Sequence, residues 1–285
     1  MAWLLSVQRL KIDMTDTTYS FPANQLLTYG DCREVEFHKW PNYPEELGIT
    51  SEHIPELIRI ALDKTWYEED ADETVECWAN IHAIRTLGQL KAEEAIEPLL
   101  SLFDNQDDDW ISDNLPKVYG MIGAKAIPVL SEYLANPENE MFARVSASAS
   151  LEKIAANYPE TRAECVAIIS KELEKFTEND PEFNDFLVGT LIDLKAVESA
   201  PLIEQAFAAD CVEILMNGDW DDVQVDLGLK SADELPRRER SWFYEVPAPS
   251  GFMETSSKSS QKSKPNKKAK RKQAAKSRQQ NRKKK

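Results

Sequence analysis

The chain has 285 residues and is 42% apolar, so it is long enough to bury a substantial core in one or two domains. Its net charge of −16 combines two opposite parts, because 14 basic and no acidic residues lie between Lys258 and Lys285 and the rest of the chain carries −30. The four cysteines are scattered, which argues against a disulfide framework, and with only three histidines they show no zinc-ligand spacing. No apolar run approaches the roughly 20 residues that a membrane span needs.

Residues 1–45 predict an irregular N-terminal segment, because three prolines and a glycine interrupt any long element. A short helix is expected within this segment at residues 24–28. Met14 is an alternative start, so residues 1–13 receive no predicted role. The widely spaced cysteines favour a reduced, cytoplasmic protein.

A pattern of paired helices begins at residue 46 and continues to residue 228. Ser51 is the expected N-cap of the first helix, which repeats apolar residues at helical spacing. The stretch from Ile81 to Trp110 and the stretch from Leu115 to Asn139 then show the same order of apolar helix, break and second apolar helix. Pro98 and Pro128 mark equivalent points 30 residues apart. Such a period is typical of stacked helical units that bury their apolar faces against neighbours.

Two further units, the third and the fourth, follow the same pattern. In the second unit, which contains the stretch from Leu115 to Asn139, residues 120–123 are expected to form the turn between the two helices. Phe176 is expected to continue the apolar face of a helix in the third unit, and Phe186 to point inward in the fourth. The sequence therefore predicts an all-α fold, a right-handed α-solenoid of stacked antiparallel helix pairs at residues 46–228. Residues 229–285 are predicted to be a disordered, Lys/Arg-rich tail because their composition offers too few apolar side chains to fold.

The order of small residues, leucines and glycines in these units resembles HEAT repeats, particularly the phycobilisome-lyase-like kind. The residues that carry the resemblance are Arg85, Leu87, Gly88, Ala95, Leu99, Leu100, Ile122, Gly123, Ala126, Val129, Leu130, Arg144, Val145, Ala147, Leu151 and Ile154. From about residue 25 to 228 the chain resembles an uncharacterised bacterial family of HEAT-like proteins. The resemblance implies a solenoid that binds a protein. Its lyase-type relatives imply an alternative role, as a chromophore lyase or chaperone acting on a pigment-binding protein.

Catalytic and metal-binding motifs receive little support from the sequence. Three acidic clusters, near residues 68–73, 104–109 and 219–226, are interpreted as solvated loops and helix caps, since they lack the glycine and closing glutamate of a calcium loop. Cys77 and His82 are five positions apart on one expected helix, a spacing that does not place them side by side. The prediction is a non-enzymatic protein without a cofactor, catalytic residue or metal site.

Three tryptophans are the candidate residues for binding a protein partner. Trp66, Trp110 and Trp220 each lie beside acidic residues near a helix boundary, where they would line one edge of the solenoid. The alternative is that they are partly exposed structural aromatics. The acidic body predicts a partner with a basic segment.

The basic tail is the candidate nucleic-acid contact. Its dense charge suits RNA or ribosome phosphates, whereas the absence of aromatic residues argues against base stacking. The candidate residues are Lys267, Lys268, Lys270, Arg271, Lys272, Lys276, Arg278, Arg282, Lys283, Lys284 and Lys285. The alternative is that the tail folds back on the acidic body of the same chain.

Overall fold

The structure is a computed structural model that describes residues 19–32, 39–67, 75–104, 109–214 and 216–235. The chain divides into two units, residues 1–236 and 237–285, and all described residues belong to the first. Within these described ranges every regular element is a helix and no strand is present. None of the described helices is long and apolar enough to cross a lipid bilayer.

The N-terminal segment begins with a 3-10 helix, Ala23–Thr28, close to the short helix expected from the sequence. Helix α1 (Tyr43–Leu47) follows and ends at Gly48, whose φ of 68° favours glycine. Helix α2 (Ile54–Leu62) is preceded by a 3-10 turn. The expected cap at Ser51 is wrong: His53 is the N-cap of α2, and Thr50 is the N-cap of the 3-10 turn, where its backbone N–H donates to Nδ1 of His53 at 2.9 Å.

Four helix pairs follow, and a short final helix closes the described fold. Their bounds are α3 Ala79–Gln89, α4 Ile96–Leu100, α5 Asp109–Ile122, α6 Ile127–Ala135, α7 Met141–Asn157, α8 Arg162–Leu173, α9 Pro181–Asp193, α10 Ala200–Ala208 and α11 Trp220–Asp226. The first helices pack in order, α3 on α5, α5 on α7 and α7 on α9, while α8 packs on both α6 and α10. The predicted all-α stack of helix pairs is therefore confirmed.

One continuous hydrophobic core runs through the described part of the stack, from Tyr19 to Leu227. Helix α3 is its most enclosed element, since each residue from Ala79 to Gly88 is buried. This enclosure arises because the N-terminal segment, α2 and α5 all pack against α3. The described residues of the N-terminal segment, 19–32 and 39–45, thus contribute to the core.

Two details of the helix boundaries differ from the expectation. Gly120 is helical, and only Gly123, with φ of 95°, leaves α5. A Cβ on Gly120 would lie 2.8 Å from Cβ of Lys153 in α7, so the glycine permits the close approach of two helices. Helix α8 ends at Leu173, so Phe176 lies in the following turn.

Candidate protein-binding edge

The chain passes from each helix pair to the next at one edge of the stack, because successive helices alternate in direction. The described residues of these connections (63–67, 75–78, 101–104, 136–140, 174–180, 209–214 and 216–219) include 11 acidic and 2 basic residues. The loops within the pairs (90–95, 123–126, 158–161 and 194–199) contain 4 acidic and 3 basic residues. Negative charge is therefore concentrated along the first set of connections, here called the acidic edge.

A groove of about 270 Å³ opens at the acidic edge between the connections that precede α7 and α9. It is lined by Pro137, Glu138, Asn139, Glu140, Met141, Arg144, Asp180 and Phe183. The carboxylates of Glu138, Glu140 and Asp180 belong to exposed residues. The groove therefore presents several negative charges around a small concavity.

The one cation in the groove lining, Arg144, is already paired. Its Nη2 donates to Oε1 of Glu172 at 2.5 Å, and its Nε donates to the carbonyl of Leu134 at 2.8 Å. Its guanidinium carbon also lies 4.2 Å from the ring centroid of Phe183. Because Glu172 neutralises this buried charge, the groove retains the negative potential of its exposed carboxylates.

An exposed aromatic pair lies next to the groove. Phe142 is the second residue of α7, after the groove residue Met141, and is 45% exposed. Its ring meets that of Phe186 in α9 edge to face, with centroids 5.8 Å apart at 81°. The expected inward orientation of Phe186 is wrong, since it is only partly buried while Phe183 and Leu187 are buried. Aromatic rings beside carboxylates suit lysine and arginine side chains, which interact with both.

The three tryptophans predicted to bind a partner are partly buried against the core, and in sequence each lies within or next to one of the connections of the acidic edge. Nε1 of Trp66 donates to the carbonyl of Ile60 at 2.8 Å. Trp110 meets Trp78 edge to face at 5.6 Å, and Trp220 lies 6.2 Å from Phe207. Each ring thus has a packing role, and a partner-binding role for these three residues stays a prediction.

The sequence reasoning missed Phe142 and the groove carboxylates. Phe142 lies five positions before Ala147 and so falls off the apolar stripe of α7 that the sequence shows. That mismatch was the available signal, because a large apolar side chain off the buried stripe of a helix has no core position. The groove carboxylates carried no such signal, since acidic residues occur throughout the body.

Some of the other candidate residues have contacts that explain their position in the fold, and the rest lie outside the described residues. Asp219 is the N-cap of α11, its Oδ1 accepting from the backbone N–H of Asp221 at 2.9 Å, as the capping interpretation expects. Both ring nitrogens of His82 are engaged, by the Tyr43 hydroxyl and the Gly30 carbonyl. Among the described residues no three His, Cys, Asp or Glu side chains are arranged to hold a metal ion. The acidic residues 68–73, the acidic residues 105–108 and all candidate residues of the tail lie outside the described ranges.

Together these features define a protein of stacked helical pairs with one acidic, aromatic edge. The chain belongs to the family described as "Protein of unknown function (DUF1186)", whose sequence profile matches residues 44–246. No curated protein and no solved structure matches the chain. The family description names neither HEAT repeats nor a lyase, so the relation to those repeats stays a prediction.

Proposed function

We propose that this protein is a non-enzymatic cytoplasmic adaptor that holds a basic segment of a protein partner at its acidic edge. The observation that carries the proposal is the groove beside α7, where exposed carboxylates surround a concavity and the Phe142–Phe186 pair adjoins it. A lysine or arginine side chain would enter the groove while neighbouring residues of the partner cover the exposed ring of Phe142. Small apolar anchors surrounded by charge are typical of binding hot spots.

The charge of the edge determines how such binding depends on conditions. Complementary charge raises association rates and is screened as ionic strength increases, whereas burial of the Phe142 ring is much less sensitive to salt. Binding is therefore expected to have a salt-dependent part from the carboxylates and a salt-insensitive part from the aromatic pair.

Fluorescence anisotropy with a labelled lysine- and arginine-rich peptide tests this assignment on the full chain. The triple variant Glu138→Gln, Glu140→Gln, Asp180→Asn is expected to weaken peptide binding about 10-fold at low salt. The matched control, Glu93→Gln, Glu94→Gln, Glu160→Gln, removes the same charge from exposed residues away from the acidic edge and is expected to change binding about 2-fold or less. Equal loss in both triple variants would contradict a specific site.

The aromatic contribution has its own variant. Phe142→Ser is expected to weaken binding by a similar factor at low and high salt, because it removes apolar contact and no charge. Since Phe142 is 45% exposed, its replacement is expected to leave the thermal transition almost unchanged. Unaltered peptide affinity would remove the aromatic pair from the proposed site.

For the tail we propose contact with RNA or a ribosome-like particle, supported by its 14 basic and no acidic residues between Lys258 and Lys285. Copurification of RNA with the full chain and with a chain ending at residue 257 tests this proposal. RNA association that survives the truncation would contradict it. The chromophore-lyase alternative rests on the sequence resemblance alone, and a bilin-binding assay tests it.

A further inference from the structure

A buried arginine in the most enclosed helix has no carboxylate partner among the described residues. Arg85 in α3 is 1% exposed, and its Nε donates to Oδ1 of Asn114 in α5 at 2.8 Å. Its guanidinium carbon lies 5.1 Å from the ring centroid of Trp40, which packs over it from the N-terminal segment. No ion pair joins Arg85 to a carboxylate within the described residues.

Two further polar neighbours of Arg85, His82 and Tyr43, are neutral. Both ring nitrogens of His82 form hydrogen bonds. A carbonyl oxygen only accepts, so Nε2 donates to the carbonyl of Gly30, and in the neutral ring Nδ1 accepts from the Tyr43 hydroxyl. Burial lowers the pKa of His82 to about 4, so the ring is neutral at pH 7. Burial raises the pKa of Tyr43, opposed by a hydrogen bond from Arg85 and by its positive charge, so the phenol is neutral as well.

Arg85 and Trp40 each carry a hydrogen-bond donor that lacks an acceptor among the described residues. Nη1 of Arg85 and Nε1 of Trp40 are both buried, and neither has an acceptor in the part of the chain that the structure describes. A guanidinium cannot lose its proton at any ordinary pH, so Arg85 is a buried positive charge without an ion pair among the described residues. Buried charges in proteins are normally paired, because an unpaired one is strongly unfavourable.

A second cation lies in the same region. Lys117 is one turn beyond Asn114 on α5, and its pKa is lowered by burial and by the positive charge of Arg85, against the opposing influence of Asp113. Two like charges in a partly desolvated region repel each other, and an anion between them would offset that repulsion. The geometry thus combines positive potential with two donors that lack acceptors.

We propose that Arg85 and Trp40 form a binding site for a compact oxyanion, a phosphate or carboxylate group, between the N-terminal segment and helices α3 and α5. The guanidinium offers a planar donor matched to two oxygens, and the indole N–H adds a third donor. Trp40 is only partly buried and therefore forms the solvent side of the site. This site is distinct from the acidic edge and does not depend on the function proposed for that edge.

Titration of the full chain with inorganic phosphate, and separately with succinate, tests the proposal and distinguishes the two kinds of oxyanion. Isothermal calorimetry is expected to show one site for at least one of the two anions. At roughly 100-fold excess over its dissociation constant, the anion is expected to raise Tm by about 5 °C or more, compared with sodium chloride at equal ionic strength. Absence of saturable heat with both anions would overturn the proposal.

Two variants separate a site from a general salt effect. Trp40→Phe keeps the ring over the guanidinium and removes the indole N–H, so anion affinity is expected to fall about 5-fold or more with the chain still folded. Arg85→Met removes the charge while keeping an unbranched side chain, and the anion-dependent rise in Tm is expected to disappear. If Arg85→Met does not fold, Trp40→Phe alone decides, and unchanged affinity in that variant would contradict the assignment.

Discussion

The hydroxyl of Tyr43 lies 2.7 Å from Nδ1 of His82, in the buried interface between the N-terminal segment and α3. The other ring nitrogen of His82 lies 2.9 Å from the carbonyl of Gly30, so this histidine joins two parts of the N-terminal segment to the stack. A single polar side chain on a buried helix thus fixes the position of residues that the sequence describes only as irregular.

The burial of His82 predicts a specific loss of stability in mild acid. Its pKa is lowered from 6.5 to about 4 in the folded chain, so as pH falls below about 6.5 the unfolded chain takes up a proton that the folded chain does not. The free energy of unfolding is expected to fall by about 3 kcal/mol from this group between pH 7 and pH 4. Urea denaturation of the parent and of His82→Gln at several pH values measures it.

The carboxylates are the same in the parent and in His82→Gln. The difference between the two proteins in how the free energy of unfolding changes with pH therefore reports the contribution of His82. His53→Gln, at a partly exposed histidine, is the matched control for replacing a histidine by glutamine. Parallel slopes for the parent and His82→Gln would show that the folded state takes up a proton at His82 as readily as the unfolded state.

Removal of one charge from the buried Arg144–Glu172 ion pair beside the groove is expected to lower the free energy of unfolding strongly. Glu172 is 3% exposed and accepts from Arg144 at 2.5 Å and from Lys175 at 2.7 Å. Glu172→Gln is expected to cost about 3 kcal/mol in the free energy of unfolding, because Arg144 then remains buried without a counter-charge. Lys175→Met, which removes the more exposed partner, is expected to cost less than about 1 kcal/mol.

The double variant Arg144→Met, Glu172→Leu completes this comparison. Removing both charges at once is expected to be less damaging than Glu172→Gln alone, since no unpaired charge remains. Chemical denaturation of the set provides the values. A double variant as unstable as the sum of its single variants would indicate that packing, and not charge, dominates at this position.

Replacement of Gly120 by alanine is expected to change the stability of the fold in the direction opposite to that expected from helix propensity. Alanine is favoured over glycine by about 1 kcal/mol inside a helix. Here an added Cβ would lie 2.8 Å from Cβ of Lys153 and 3.1 Å from its backbone, so α5 and α7 must separate. Gly120→Ala is expected to lower stability by about 1–3 kcal/mol.

Gly189→Ala is the matched comparison, because the atoms nearest to the added Cβ would be those of the side-chain amide of Asn217, from 3.1 Å. A side chain adjusts more easily than a backbone, so this second helical substitution is expected to be much milder. Thermal denaturation of both variants measures the contrast, and equal effects would argue against a close helix approach at Gly120.

Removal of the side-chain amide of Asn184 is expected to loosen two connections at the acidic edge. Its Nδ2 donates to the carbonyls of Phe176 at 2.9 Å and Cys211 at 2.7 Å, although the residue itself is fully buried in α9. Asn184→Ala leaves both carbonyls without this donor and is expected to cost about 2 kcal/mol. Hydrogen exchange is expected to accelerate in residues 174–180 and 209–214, whereas α5 retains its protection.

Much of the fold was readable from the sequence because it depends on local periodicity. Apolar residues at helical spacing, breaks at Gly123 and prolines at equivalent points predicted the helix pairs and their order. Errors arose where a residue has a tertiary role. Gly120 reads as part of a turn, yet in the fold it allows two helices to approach closely, and this depends on its neighbour in α7.

The sequence by itself determined that the chain is all-helical, repetitive and acidic apart from a basic tail, because periodicity and composition are properties of the chain alone. Only the tertiary structure decided which residues share a surface. Phe142 and Phe186 are 44 positions apart, and Arg85 and Trp40 are 45 apart, and each pair meets because helices stack in a particular register. That register follows from the shapes of side chains packed between elements, which no local pattern in the sequence expresses.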